Sequence, residues 1–354
     1  MYPWPSPASG STISCLCKEN TMERNRSMFA RDMVTDLSDS RAFLMGCAIL
    51  SVVLYHVRAH YICPEGAAAQ FLDDIVGMGY GGSDVFFFLS GFGIAWSLKK
   101  DGNMGRYLGR RVKKLLPDYY PFVLLYMGAV AWLRGITWTE ILGNLTFLGT
   151  WFHLDNQFNW YIQTAMAFYL LAPVVYRVTK GETGWKTWGI LALAALALQG
   201  ISFGSYQMIA IARVPVFLLG MFLGTLEKGS LPWTKGRLIT VAAVYLAGLV
   251  FWRVSRNDLT WGNGLYWYPF LLLAPAGCFL TAGLRPWWLS IPALKKIDDM
   301  ICLCGKSSYE IYLVHLLFFE TILAGRQGNF FWIVMGVVFT ALGIGYRSGV
   351  KQVL

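Results

Sequence analysis

The stretch GGSDVFFFLSGFGIAWSLKK, residues 81–100, decides the fold, because it places one carboxylate, Asp84, at the head of a segment apolar enough to enter a bilayer. Moving an aspartate toward the hydrocarbon centre costs about 2.5 to 3.5 kcal/mol on insertion scales, so such a group has a partner or faces a polar cavity. The alternative is that Asp84 lies at the interface and stays hydrated. The segment therefore predicts a membrane helix with a candidate functional carboxylate.

The composition of the whole chain points the same way. Hydrophobic residues make up 56% of the 354 residues and charged residues only 14%, while 15 tryptophans and 18 tyrosines suit the interfacial belts of membrane proteins. The net charge of +10 could indicate nucleic acid, but the basic residues fall in short segments between apolar runs. The composition predicts a polytopic membrane protein in contact with lipids, with no nucleic-acid partner.

Apolar runs of near-spanning length follow one another along the chain, and a helix needs about 20 residues to cross a bilayer. We predict an all-α bundle of about ten transmembrane helices. The runs are 42–57, 76–98, 118–135, 158–177, 187–203, 207–226, 238–254, 263–284, 307–323 and 328–346.

The distribution of Lys and Arg sets the predicted orientation. With the N-terminus inside, all but six of the 30 basic residues fall in inner segments, so the positive-inside rule places both termini in the cytoplasm. The six exceptions are Arg58, Arg134, Arg213, Arg253, Arg256 and Arg326. Residues 136–152 are interpreted as an amphipathic outer segment, because an eleventh span would invert every later loop.

The N-terminal region has a different composition from the rest. Residues 1–35 combine prolines and a Ser/Thr/Gly cluster with mixed charge, so we predict a disordered cytoplasmic tail before a single transmembrane domain at 36–354. Of the seven cysteines only Cys63 falls in a predicted outer loop, so no structural disulfide is expected. The two Cys-x-Cys pairs lack a companion pair at zinc-site spacing, and no metal site is predicted.

Histidines are scarce, and their positions are informative. His56 and His60 end the first span, and His315 lies inside the ninth. An i, i+4 histidine pair can bind zinc, but no carboxylate follows within helical reach as a third ligand. The alternatives are interfacial histidines or a catalytic His56. His315 either shares in that chemistry or hydrogen-bonds a neighbouring helix.

A basic segment, KKDGNMGRYLGRRVKK at residues 99–114, precedes the third span. Such a segment anchors topology and contacts anionic lipid. The segment contains more basic residues than are needed to orient the protein in the membrane. Arg110, Arg111 and Lys114 fall within little more than one helical turn. They could therefore chelate the phosphates of a cytoplasmic ligand.

Five segments in this order resemble the acyltransferase-3 membrane proteins, which move acetyl or other acyl groups onto carbohydrates. The resemblance extends from about Ser40 to the end of the chain, and each motif alone is loose while five in order are specific. The segments are GCAILSVVLYH (46–56), GGSDVFFFLSGFGI (81–94), RRVKKLLPDYY (110–120), NWYIQTAMAFYLLAP (159–173) and SSYEIYLVH (307–315).

The resemblance implies an O-acyltransferase, expected in a bacterial cytoplasmic membrane as a multi-pass protein. By this resemblance the enzyme would use acyl-CoA, most simply acetyl-CoA, as donor substrate, with no bound cofactor. His56 would accept a proton from a sugar hydroxyl or be acylated itself. Asp84 would fix the imidazole tautomer, as an orienting carboxylate does beside a catalytic base.

Other residues take supporting roles by the same resemblance. Arg110, Arg111 and Lys114 would hold the donor phosphates. Substrate positioning would fall to Trp160, Tyr161, Tyr309 and His315. The family's arginine eleven residues before the histidine is Met45 here, so Arg41, one turn earlier on much the same face, would replace it.

Two other classes remain open from the sequence. A transporter for a lipid-linked sugar or small anion would use Asp84, Arg213, His315 and Glu320 as coupling sites, although no internal repeat is visible. An assembly component would have no activity at all. For a transferase, the acceptor could be a cell-surface polysaccharide, a glycolipid or a small glycoside, and the acyl group could pass to a separate extracytoplasmic transferase.

Overall fold

The structure is a computed structural model that describes residues 28–60, 66–179, 184–199, 205–257, 265–321 and 330–353. Within these ranges the chain forms α-helices and short 3-10 helices, and no strand. The helices are α1 (Met33–Asp39), α2 (Arg41–His60), α3 (Ala67–Gly77), α4 (Gly82–Lys100), α5 (Met104–Leu133), α6 (Trp138–Leu145), α7 (Trp160–Val178), α8 (Trp185–Gln199), α9 (Ser205–Ile211), α10 (Val214–Thr225), α11 (Lys235–Ser255), α12 (Phe270–Leu289), α13 (Pro292–Lys306), α14 (Ser308–Glu320) and α15 (Phe330–Val353).

The expectation of an all-helical protein is confirmed for the described residues. Three helical stretches there are long and apolar enough to cross a membrane, at residues 41–59, 235–255 and 265–289. Four shorter apolar helices lie at 185–198, 209–225, 308–319 and 333–349. The total of about ten spans and the cytoplasmic placement of both termini stay predictions.

One predicted span is not a single helix. The run 207–226 forms α9 and α10, which are separated at Ala212 and Arg213. Pro215 occupies the first turn of α10, where a missing N–H and a fixed φ are tolerated. In the middle of a continuous helix the same residue would remove a hydrogen bond and interrupt the helix. The break places Arg213 at the N-terminus of α10, inside the protein.

Helices α4 and α10 pack closely through glycines. A Cβ atom at Gly220 would overlap the carbonyl oxygen of Phe88, and one at Gly91 would overlap that of Phe217. Small residues let helix backbones approach, which is how membrane helices gain packing contacts without a hydrophobic driving force. This contact brings Asp84 on α4 and Arg213 before α10 to the same level.

Helical structure begins close to the predicted boundary between the tail and the transmembrane domain. Residues 1–27 lie outside the described part, but α1 begins at Met33, before the predicted boundary at 35. Asp32 caps this helix by accepting the backbone N–H of Thr35, and its other oxygen accepts the N–H of Leu231. Met33 and Val34 are buried, so folded structure begins upstream of residue 35.

The predicted outer segment 136–152 contains α6, which has eight residues and is too short to cross a bilayer. Thr137 and Glu140 form a capping box at its start. Burial alone would raise the pKa of Glu140, but hydrogen bonds from Thr137 and Asn156 outweigh it and hold the pKa of this carboxyl below its usual range.

Candidate functional site

A cavity of about 660 Å³ opens at the end of α2 that carries Arg41. We call it the basic cavity. Its charged lining comprises Arg41, Arg111, Lys114, Lys306 and Arg347 with Asp39, Asp118 and Glu310. Cations exceed acids, and the volume suits a ligand of drug or cofactor size. The lining therefore carries a net positive charge, which suits an anionic ligand.

Helix α5 supplies one face of this cavity. Arg111, Lys114, Leu115 and Asp118 line it, at the i, i+3, i+4 and i+7 spacing of a single helical face. Arg110 lies on the neighbouring face and instead forms an ion pair of 3.0 Å with Asp101. The predicted trio is therefore divided: two of its members reach the cavity, and Arg110 does not.

The first turns of α2 line the cavity with both Arg41 and Met45. The Arg41 guanidinium packs against α4 at Gly93, where a Cβ atom would lie 2.5 Å from Nη1. Its Nε is buried and has no hydrogen-bond partner among the described residues. A buried donor without an acceptor is costly, so Arg41 Nε is suited to donate to a group bound in the cavity.

Aromatic side chains form the deep part of the basic cavity. Tyr309 donates its hydroxyl to the Leu115 carbonyl at 3.0 Å, which fixes its ring against α5. Tyr161 and Tyr312 lie deeper, with ring centroids 5.0 Å apart. The His315 ring follows at 5.2 Å from Tyr312. The tyrosines thus connect the charged mouth to the histidines.

Two predicted site residues, His56 and His315, meet in the structure. Their ring centroids are 5.1 Å apart in an edge-on arrangement. His56 Nδ1 lies 2.8 Å from the Val52 carbonyl and His315 Nδ1 lies 3.0 Å from the Ile311 carbonyl. A carbonyl only accepts, so both Nδ1 atoms carry the proton, and in each neutral ring Nε2 holds the lone pair.

His315 Nε2 is buried and has no hydrogen-bond partner among the described residues. A structural histidine would normally satisfy this atom, since buried polar groups are hydrogen-bonded. The arrangement leaves a basic nitrogen available in a closed environment. It can accept a proton from a hydroxyl group brought beside it.

Asp84 has a different partner from the one predicted. Its carboxylate pairs with Arg213 at 3.4 Å, and both side chains are buried, with at most 2% of either exposed. The tautomer of His56 is set by the Val52 carbonyl of its own helix. Asp84 therefore contacts Arg213, and the hydrogen bond that orients the His56 imidazole comes from the backbone and not from this carboxylate.

Trp160 contacts Arg213, the cation of this ion pair, and does not line the basic cavity. The Arg213 guanidinium carbon lies 5.3 Å from the Trp160 ring and 4.4 Å from the Trp267 ring. Cation–π contacts of this kind stabilise a desolvated arginine by about 2 kcal/mol or more. Trp160 therefore supports Arg213, whereas Tyr161, its neighbour in sequence, faces the cavity.

Sequence reasoning missed two basic residues of the cavity, Lys306 and Arg347. Arg347 on α15 lines it and contacts Glu310 at 3.1 Å and the Lys306 carbonyl. In the sequence, Arg347 is indistinguishable from an ordinary positive-inside anchor after the last apolar run. Only the packing of α15 against α14 brings it to the cavity.

Potential metal ligands and cysteines are scattered over the described part of the chain. No group of three or more potential metal ligands is present among the described residues. The side chain of His60 falls outside that set. Cys47, Cys278, Cys302 and Cys304 form no disulfide within the described residues, and the remaining cysteines are outside the described ranges.

The fold and the site define an acyl-transferring enzyme built of apolar helices, as comparison with known proteins shows. Residues 43–346 match the acyltransferase-3 family model, described as an acyltransferase domain. The chain is 24% identical over 302 residues to the acyltransferase MdmB of Streptomyces mycarofaciens, with 76% of each chain covered. No solved structure matches significantly. The protein belongs to the acyltransferase-3 family, a membrane-associated family.

Proposed function

We propose that the protein is a multi-pass O-acyltransferase of a cell membrane, expected to be the bacterial cytoplasmic membrane. It takes an acyl group, most simply acetyl, from cytoplasmic acyl-CoA and transfers it to a hydroxyl of a cell-surface polysaccharide, glycolipid or glycoside. The observation that carries this proposal is the path from the basic cavity through Tyr161 and Tyr312 to the paired His315 and His56.

The donor phosphates would occupy the charged mouth of the basic cavity. Arg111 and Lys114 offer charge-assisted hydrogen bonds. Met45 occupies the position of the family's arginine, and Arg41, which also lines the cavity, would replace that arginine. The arm of the donor that ends in the thioester would extend between the tyrosines, because their rings form a surface largely free of water. The thioester then reaches the level of the two histidines.

The reaction needs one base and no redox step. His56 Nε2 accepts the proton of the acceptor hydroxyl as its oxygen attacks the thioester carbonyl carbon. The carbon–sulfur bond breaks when the tetrahedral intermediate collapses, and the thiolate leaves. The imidazolium returns the proton to sulfur, which gives free CoA and an ester. His315, edge-on to His56, positions its ring and contributes a second Nε2.

The test is transfer from radiolabelled acetyl-CoA by inside-out vesicles that contain the protein, with vesicles lacking it as control. We expect protein-dependent release of free CoA and label in the glycan fraction. A carrier would leave acetyl-CoA intact. Absence of protein-dependent thioester consumption with the donors and native membranes tested would reject the proposal.

A matched pair of arginine variants tests the donor site. Arg111→Ala should raise the KM for acetyl-CoA roughly 10- to 100-fold, because hydrogen bonds to charged groups contribute about 1.5 to 3 kcal/mol. Arg110→Ala removes the neighbouring charge outside the cavity and should change this KM by less than about twofold. Equal effects of the two variants would show that the segment acts through general charge alone.

The pH dependence of donor use should report on Lys114, which precedes the predicted third span. Lys114 is accessible at the cavity mouth, but the surrounding protein removes part of its hydration and Arg111, Arg41 and Arg347 add repulsion, so its pKa lies below that of ordinary lysine. A lowered pKa means that the charge is lost earlier as pH rises. We expect kcat/KM for acetyl-CoA to fall in the alkaline range, beginning at a lower pH than the ordinary lysine pKa of about 10.4 would give.

Lys114→Arg keeps its charge over this range, because arginine has a pKa above about 12. Its kcat/KM should therefore stay level where that of the wild type falls. An identical alkaline decline in both proteins would show that another group titrates.

A further inference from the structure

A second cavity, of about 430 Å³, lies at the opposite end of α2 from the basic cavity. We call it the aromatic cavity. Its lining residues are Tyr55, Arg58, Asp74, Gly77, Tyr80, Trp252, Arg256, Asn257, Tyr266 and Trp267. Five of these ten are tyrosine or tryptophan, and the mechanism proposed above uses none of them.

The two cavities are separated along one helix. The basic cavity reaches Met45, and the aromatic cavity begins at Tyr55, ten residues later on α2. At 1.5 Å per residue the two positions are about 15 Å apart along the axis. His56 follows Tyr55 directly. His56 therefore lies level with the start of this second cavity and beyond the part of α2 that lines the donor-sized one.

The charges of the aromatic cavity are balanced inside the protein. Arg58 forms a bidentate pair with Asp73, with distances of 2.7 and 2.6 Å, and Arg256 pairs with Asp74. In the basic cavity, by contrast, cations outnumber acids. An anion gains little where each arginine already holds a carboxylate, so the aromatic cavity suits a neutral polar ligand.

Two donor groups of this cavity lack acceptors. Trp267 Nε1 and Arg256 Nε are buried and have no hydrogen-bond partner within the described residues. Both residues line the cavity. Leaving a buried N–H without an acceptor is unfavourable, so these two groups favour a ligand that offers oxygen atoms.

A series of neighbouring aromatic rings connects this cavity to His56. Trp267 and Tyr80 have centroids 5.5 Å apart, Tyr80 and Tyr55 are 5.8 Å apart, and Tyr55 and His56 are 5.5 Å apart. The Tyr80 hydroxyl donates to the Tyr266 carbonyl at 2.7 Å, which holds these rings in place. A ligand bound against them has one end close to His56.

We propose that the aromatic cavity binds the acceptor as a neutral carbohydrate unit. Its rings provide faces for the C–H groups of a sugar, and Trp267 Nε1 and Arg256 Nε donate to hydroxyl or ring oxygens. A neighbouring sugar hydroxyl then points to His56. This inference rests on the proposed acyl transfer, for which it supplies the second substrate and its direction of entry.

Saturation-transfer NMR on the full-length protein in lipid nanodiscs tests this site without any acyl donor. The probes are methyl α-D-glucoside, methyl β-D-galactoside and methyl α-L-rhamnoside. We expect at least one of them to receive saturation, which shows contact with the protein. Trp267→Phe and Arg256→Gln should each weaken its binding about 2- to 12-fold, the range expected for loss of one hydrogen bond.

Trp138→Phe is the matched control, because Trp138 is 79% exposed and does not line the cavity. It should leave probe binding unchanged. If Trp267→Phe loses thermal stability through its contact with Arg213, Arg256→Gln and Trp252→Leu still test the site. Near-UV circular dichroism shows which variants keep the native fold.

Three results would overturn the inference: no probe receives saturation from the wild type, binding is equal in the wild type and the folded cavity variants, or inorganic phosphate displaces the probe. The last would identify an anion site. Each is distinct from failure of acyl transfer, because release of CoA is measured separately and needs no added glycoside.

Discussion

Replacing His56 with alanine is expected to lower acyl transfer about 100- to 10,000-fold, the usual contribution of a positioned general base. Donor binding should persist, because His56 does not line the basic cavity. The measurement is label transferred from acetyl-CoA to glycan in inside-out vesicles, together with the KM for the donor. A large fall in kcat with little change in KM is the expected pattern.

His153→Asn is the control for this experiment. His153 lies in the segment after α6 with a positive φ of 54°, a conformation that asparagine tolerates. Its replacement removes an imidazole without touching the pair formed by His56 and His315, and should leave transfer at the wild-type rate. Full transfer by His56→Ala, combined with its loss in His315→Ala, would move the base from His56 to His315.

The second large effect is expected from the ion pair between Asp84 and Arg213. Asp84→Ala or Arg213→Ala alone should destabilise the protein by about 3 to 5 kcal/mol, because each leaves an uncompensated buried charge. The double variant Asp84→Asn with Arg213→Gln removes both charges and should recover much of that loss. Thermal unfolding in detergent, followed by a thiol-reactive dye on the buried cysteines, measures the difference.

The same variants decide how Asp84 contributes to activity. If it acts through Arg213 and the packing of α4 against α10, transfer should recover with stability in the double variant. If Asp84 acts directly on the reacting groups, the double variant will be stable but inactive. Unchanged stability in Asp84→Ala would contradict the buried pair itself.

The sequence determined the class of fold and the identity of the site's principal groups. Its apolar runs require helices, since a backbone in lipid must satisfy its hydrogen bonds within each segment. The rarity of ionisable groups in such runs singled out Asp84, His56 and His315, because each is costly to bury and is retained only with a partner or a function. Five short motifs in order were enough to indicate the family that the comparison confirms.

Only the tertiary structure decided which of these groups meet. Helical periodicity predicts that Arg111 and Lys114 share a face, but nothing in the chain order indicates that Arg347 joins them or that Arg110 turns away to Asp101. The pairing of Asp84 with Arg213 depends on the break between α9 and α10 and on glycine contacts between α4 and α10. Sequence patterns fix which side of a helix is polar, whereas contacts between helices distant in sequence depend on how their surfaces pack.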